Sequence, residues 1–164
     1  MWSVFLPVVF MVGLTITVLA RMPMIRAAEI KADPKLMHDA ALDGSRYSEK
    51  SRQHSANLAN LFEMPVLFYV ATIFALLLGA TGFWTGLLCW LFVLARITHT
   101  VIHTTSNVVP LRFGAFAVSL LSLALLWITL IFSAGDSLLF EIDALEAQRD
   151  RLEGVTPVPV IVPN

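Results

Sequence analysis

Residues 83–104 read FWTGLLCWLFVLARITHTVIHT, twenty-two positions long and apolar enough to cross a bilayer, with Arg96, His99 and His103 set into the second half. A membrane-spanning helix needs about twenty consecutive residues of this kind. An ionisable side chain at that depth costs several kcal/mol unless it is paired or lines a wet cavity, so Arg96 marks a functional candidate by default. At about 100° per residue the three polar side chains, spaced i, i+3 and i+7, fall within an arc of roughly 60° and share one face. The stretch therefore predicts a membrane helix with one polar stripe.

Three more stretches of the same character flank it. Together they give spans at about 2–20, 58–78, 83–104 and 113–134. The chain is 57% hydrophobic and 14% charged, and its mean hydropathy is +0.77. That balance lies outside the range of an ordinary soluble domain. With so little chain between spans, they should form one all-α, four-helix transmembrane bundle over residues 1–135. A net charge of −1 offers no footprint for nucleic acid. Cys89 is the single cysteine, which excludes an internal disulfide framework, and it reads as packing.

The first span is not expected to be a cleaved leader. Its positive charges, Arg21 and Arg26, follow the apolar run instead of preceding it, and no small-residue cleavage site ends it. Seven of the eleven basic residues (Arg21, Arg26, Lys31, Lys35, Arg46, Lys50 and Arg52) fall between spans one and two. By the positive-inside rule the loop 21–56 is then cytosolic and both termini are non-cytoplasmic, the expected setting being a bacterial inner membrane. Within that loop some helix is expected near Pro34 to Leu42. Gly79 to Gly82 makes the tight turn of a helical hairpin between spans two and three. Pro110 stops span three from running on into span four.

Composition changes after span four. Asp136 to Gly154 carries six acids and two arginines, with Leu138, Ile142, Leu145 and Leu152 spaced to share a helical face. This predicts a short C-terminal amphipathic helix. Three prolines alternate with aliphatics over 156–164, predicting an extended tail. Residues 136–164 thus form a second region, suited to packing on a neighbouring subunit or on another membrane protein.

The up-and-down order of the spans brings polar groups to one depth. Asn60 and Glu63 begin span two, Arg96, His99 and His103 end span three, and Arg112 begins span four, so all lie in the inner half of the bilayer. Two arginines and two histidines against one carboxylate make a net positive pocket, which suits an anion with carboxylates that guanidinium groups grip in bidentate fashion. A zinc site from His99, His103 and Glu63 is disfavoured by the adjacent arginines. No metal or haem is expected.

Asn60-Leu-Phe-Glu63-Met-Pro65, Arg96-Ile-Thr-His99-Thr and Pro110-Leu-Arg112, in this order within a four-span chain, resemble the bacterial-type membrane-associated proteins in eicosanoid and glutathione metabolism, the MAPEG family. The resemblance covers spans two to four. It implies a homotrimer with glutathione bound as co-substrate between subunits near the cytosolic side. Carried over, Asn60 and Glu63 hold the polar ends of the tripeptide, Arg96 and His99 belong to the same polar wall, and Arg112 faces the thiol as the catalytic group.

Two departures are visible. Ala56 stands where many relatives have arginine, leaving Arg52 and Asn57 as neighbouring substitutes; His103 and Phe116 stand where several relatives have tyrosine. The expected activity is that of a glutathione transferase or glutathione-dependent peroxidase acting on a lipophilic electrophile that arrives from the bilayer. The alternative is a non-catalytic lipid-binding or scaffold subunit of a larger membrane assembly.

Overall fold

A computed structural model describes residues 1–152 and Gly154. The predicted tail at 156–164 lies outside the described residues. Five α-helices follow in order: α1 (Trp2–Ala32), α2 (Leu36–Leu42), α3 (Glu49–Leu77), α4 (Phe83–Thr104) and α5 (Val109–Leu152), with a 3-10 turn at Gly44–Arg46. Four of them, α1, α3, α4 and α5, are long and apolar enough to cross a membrane. They run up and down as one bundle, so α1 and α3 leave their charged residues at one end, here called the basic end. The 78–82 turn lies at the far end.

Local signals set the helix boundaries. The Ser48 hydroxyl caps α3 by accepting from the Ser51 amide at 3.2 Å, and Ser48 is itself held by Glu29 of α1 at 2.5 Å. Gly79, at φ +66, makes the left-handed turn that ends the α3 hairpin. Asn107, at φ +48, does the same after α4, with its amide donating to the Ile102 carbonyl at 2.7 Å. Pro110 then sits in the first turn of α5, where its missing amide costs nothing.

The core at the far end is close-packed and mainly apolar. Phe68 of α3 stacks on Phe92 of α4, with ring centroids 4.5 Å apart and planes 14° from parallel. Ala71, Ala75, Cys89 and Val93 are fully buried around them. Gly86 lets α1 approach α4: a Cβ there would lie 2.8 Å from the Ser3 Cβ. This is the small-residue contact that lets membrane helices approach where lipid supplies no hydrophobic drive.

Two expectations about organisation change. Most of the predicted loop 21–56 is helical: α1 runs on to Ala32 and α3 begins at Glu49. The two extensions are tied by Arg26 donating to the Ser55 hydroxyl at 3.0 Å and by its guanidinium over the Tyr47 ring at 4.9 Å. Nor does a separate amphipathic helix follow span four. The 44-residue α5 passes through residues 135–152 without a break, adding about 27 Å beyond the span. Every residue from Ala134 to Arg149 is exposed. Hydropathy falls sharply at Asp136, but the Leu, Ala, Glu and Gln that follow are good helix formers, and Gly135 alone is too weak a breaker to stop the helix.

Candidate functional site

The buried faces of α3 and α4 change character along the bundle. From Phe68 and Phe92 outward they are mainly apolar, with Thr72 and Thr85 as the buried polar residues; toward the basic end they present Ser51, His54 and Asn57 on α3, and Arg96, His99, Thr100 and His103 on α4. Each set repeats at helical spacing, which is why each occupies one stripe. The Phe68–Phe92 stack and the Arg96–Asn60 contact fix the antiparallel register. Asn57 then stands at the level of Thr100, and His54 at the level of His103.

Arg96 is fully buried. Its Nη2 donates to the Asn60 backbone carbonyl at 2.9 Å, beside the stretch of α3 that Pro65 disturbs. A proline in a helix leaves the carbonyl four residues earlier without its amide; here that is Leu61, the neighbour of the Asn60 carbonyl that Arg96 takes. Among the described residues the Arg96 Nε and Nη1 have no hydrogen-bond partner. Nor has either Asn57 amide atom, the Thr100 hydroxyl or the Ser51 hydroxyl, all buried. Among the described residues no carboxylate lies within 4 Å of Arg96; Glu63 is exposed on α3, within electrostatic reach of Arg96 but not paired with it. Arg52 is exposed too, while Asn60 is half-buried with its Nδ2 donating to the Ala56 carbonyl at 3.1 Å.

Arg112 occupies a different face. Its Nη1 donates to Asn107 Oδ1 at 2.6 Å, so the left-handed turn before α5 holds the guanidinium. Its backbone carbonyl lies 3.1 Å from His99 Nδ1. A cavity of about 200 Å³ adjoins it, lined by His99, Val109, Arg112, Phe113 and Phe116. His99 is therefore the hinge of the arrangement: it lines the Arg112 cavity, while its Nε2 is buried and has no partner among the described residues.

The fold thus divides the sequence candidates into three groups. Asn57, Arg96, His99 and His103 share the bundle interior, Arg112 bonds His99 through its backbone carbonyl and lies within electrostatic reach of His103, and Arg52, Asn60 and Glu63 lie off that interior on α3, Arg52 and Glu63 exposed and Asn60 half-buried. Asn107, His54, Ser51 and Thr100 belong to this arrangement although sequence reading did not single them out. The i, i+3, i+6 spacing of Ser51, His54 and Asn57 was the available signal for α3. An Asn three residues before Pro110 was the signal for the turn.

Four apolar membrane-crossing helices, with buried cationic and hydrogen-bonding groups gathered toward one end, define a polytopic α-helical membrane protein. The MAPEG family model matches residues 1–132, and the chain belongs to that family. The match ends within α5, before its projecting extension. No curated protein and no solved structure matches the chain.

Proposed function

We propose that this protein binds glutathione between copies of itself in a homotrimer, and uses Arg112 to hold the thiol as thiolate for attack on a lipophilic electrophile. The observation that carries this reading is the Arg112 cavity: Arg112, its guanidinium held by Asn107, lines an aromatic-walled space of about 200 Å³ beside His99. That volume is below the roughly 300 Å³ at which ligand pockets begin. It suits the cysteinyl end of a tripeptide and leaves the rest to be held elsewhere. Glu63, exposed on α3, and the half-buried Asn60 beside it are suited to receive the remainder from a neighbouring copy, Glu63 matching the ammonium group.

The chemistry is thiol acidity. A free thiol with pKa near 8.5 is mostly protonated at neutral pH, and only the thiolate is nucleophilic. Lowering that value by about two units takes roughly 2.7 kcal/mol of preferential thiolate stabilisation, which a guanidinium in a low-dielectric site supplies. The basic end faces the cytosol, where glutathione is available, and the electrophile enters from the bilayer between helices.

Arg112→Leu tests the assignment. The expected result is a trimer of unchanged size in detergent, with the ultraviolet absorbance of bound thiolate lost and conjugation of a generic aryl halide reduced at least hundredfold. Unchanged turnover would dispose of the role given to Arg112. A second reading, a non-catalytic subunit, has its own observation: the exposed α5 extension lies beyond the family match and presents Leu138, Leu139, Phe140, Ile142 and Leu145. Glutathione binding by calorimetry without turnover supports that reading; absence of binding removes the enzyme.

A further inference from the structure

We infer that His99, His103 and His54 form a proton route joining the Arg112 cavity to the water at the basic end of the bundle. The inference rests on the thiolate reading above, and supplies what that reading lacks: a path for the proton that leaves sulfur.

The two ends of the route are cavities. At one end His99 lines the space beside Arg112. At the other, an open cavity of about 590 Å³ is lined by Glu49, Lys50, Gln53, Thr104 and Thr105, the sequence neighbours of His54 and His103. Between them lie three imidazoles, each 4% exposed. The rings of His99 and His103 meet edge to face, with centroids 5.5 Å apart, one helical turn from each other on α4. His54 faces His103 from α3, within electrostatic reach of it.

Hydrogen bonding assigns the nitrogens. A carbonyl oxygen only accepts, so His99 Nδ1, 3.1 Å from the Arg112 carbonyl, carries a proton; His54 Nδ1, 2.9 Å from the Lys50 carbonyl, does the same. Both rings then offer Nε2 as the proton acceptor. Among the described residues His99 Nε2 and His103 Nδ1 are buried and without partners, so they are not bonded to each other. Two such nitrogens on adjacent rings exchange a proton through one bridging water.

The step balances without a further reactant. The S–H bond breaks, the electron pair stays on sulfur, and His99 Nε2 takes the proton while its Nδ1–H keeps the Arg112 carbonyl. His99 passes the proton through the bridging water to His103 Nδ1, and His103 releases one from Nε2 toward His54 and the water of the basic-end cavity. The charged groups facing the pair are Arg96 on α4 and Arg112 on α5, with His54 on α3. Among the described residues none facing the pair is a carboxylate; the first on the route is Glu49, at its exit in the basic-end cavity.

The test is stopped-flow mixing of the purified full-length protein with saturating glutathione, following thiolate absorbance together with proton release to an indicator dye, in water and in deuterium oxide. His103→Ala is expected to slow proton release at least tenfold, with recovery on adding free imidazole. His54→Phe, outside the glutathione contacts, is expected to slow release several-fold and to reduce the solvent isotope effect's dependence on imidazole, with the final thiolate level retained. Equal rates in wild type and both variants would overturn the route. So would a slowed His103→Ala that imidazole leaves unrescued, since that outcome marks a packing or binding contact. Absence of thiolate in the wild-type protein overturns the thiolate reading itself, and the route with it.

Discussion

The two ends of the bundle are built from the same helices and obey opposite rules. At the far end Phe68 stacks on Phe92, Gly86 admits Ser3, and polar side chains such as Thr72 and Ser3 return to backbone carbonyls. At the basic end every one of the buried side-chain atoms that lacks a partner among the described residues is found, on Ser51, Asn57, Arg96, His99, Thr100 and His103. Buried polar groups are almost always satisfied, and exceptions call for a cause. The lesson is that stability and chemistry are assigned to different levels of one bundle: close packing at the far end holds the helices in register, and that register presents unpartnered groups at the other.

The largest blow to this division is Phe92→Ala. In a bilayer the loss is one of contact and cavity more than of transfer, because lipid is as apolar as the core. The expected cost is still about 3 kcal/mol, read as a drop in the denaturing detergent fraction that unfolds the bundle. A variant that unfolds at the wild-type midpoint would mean that the far end does not carry the fold. Next comes Gly86→Ala. Its Cβ would meet the Ser3 Cβ at 2.8 Å, so α1 must shift away. The strain costs about 1–2 kcal/mol, and Ser3→Gly in the same chain is expected to restore most of it. Additive effects of the two changes would show that the close approach is incidental.

Asn57→Leu probes the other end. Asn57 is fully buried with neither amide atom bonded, so an apolar group of the same size is expected to leave stability within about 1 kcal/mol or to raise it. Glutathione affinity is expected to fall about tenfold, equivalent to roughly 1.4 kcal/mol. A strongly destabilised variant would place Asn57 with the structural half of the bundle.

The spans were legible because about twenty apolar residues in a row admit few other readings. Their ends were not. Hydropathy reports the solvent around a helix, whereas the helix ends only where caps, Gly and Pro act; α1 and α3 therefore run past Arg21 and before Leu58, and α5 runs past Asp136. The polar face of α4 was legible from the 3.6-residue period acting on Arg96, His99 and His103. Its counterpart on α3 was hidden, since Ser51 and His54 sit among charges that read as loop. Distances across helices were beyond the sequence: depth alone suggests that Glu63 and Arg112 converge, but rotation about α3 leaves Glu63 exposed. Asn107 was missed for a related reason, because its part depends on a left-handed turn and not on a pattern.

The smallest expected effect concerns the connection that joins α1 to α3 at the basic end. Asp43 accepts from the Ser45 hydroxyl at 2.6 Å and from the Ser45 amide at 2.9 Å, capping the 3-10 turn. The Ser45 hydroxyl first, then its amide, with Arg46 adding a weaker pull, hold the Asp43 carboxyl below the usual carboxylate range. A carboxyl so depressed contributes its stability above the ordinary aspartate value of about 3.9 and loses it as pH falls through the lower folded-state value. The turn should therefore stay closed from neutral pH down to about pH 4 and open only below, while the far end of the bundle, packed without carboxylates or histidines, stays intact. Pepsin cleavage within residues 33–48, followed across that range, reads the opening directly. Asp43→Asn keeps an accepting oxygen at the cap and is expected to flatten the pH dependence; equal acid sensitivity in the variant would show that the connection opens for a reason other than Asp43, and that the basic end responds to acid as a unit.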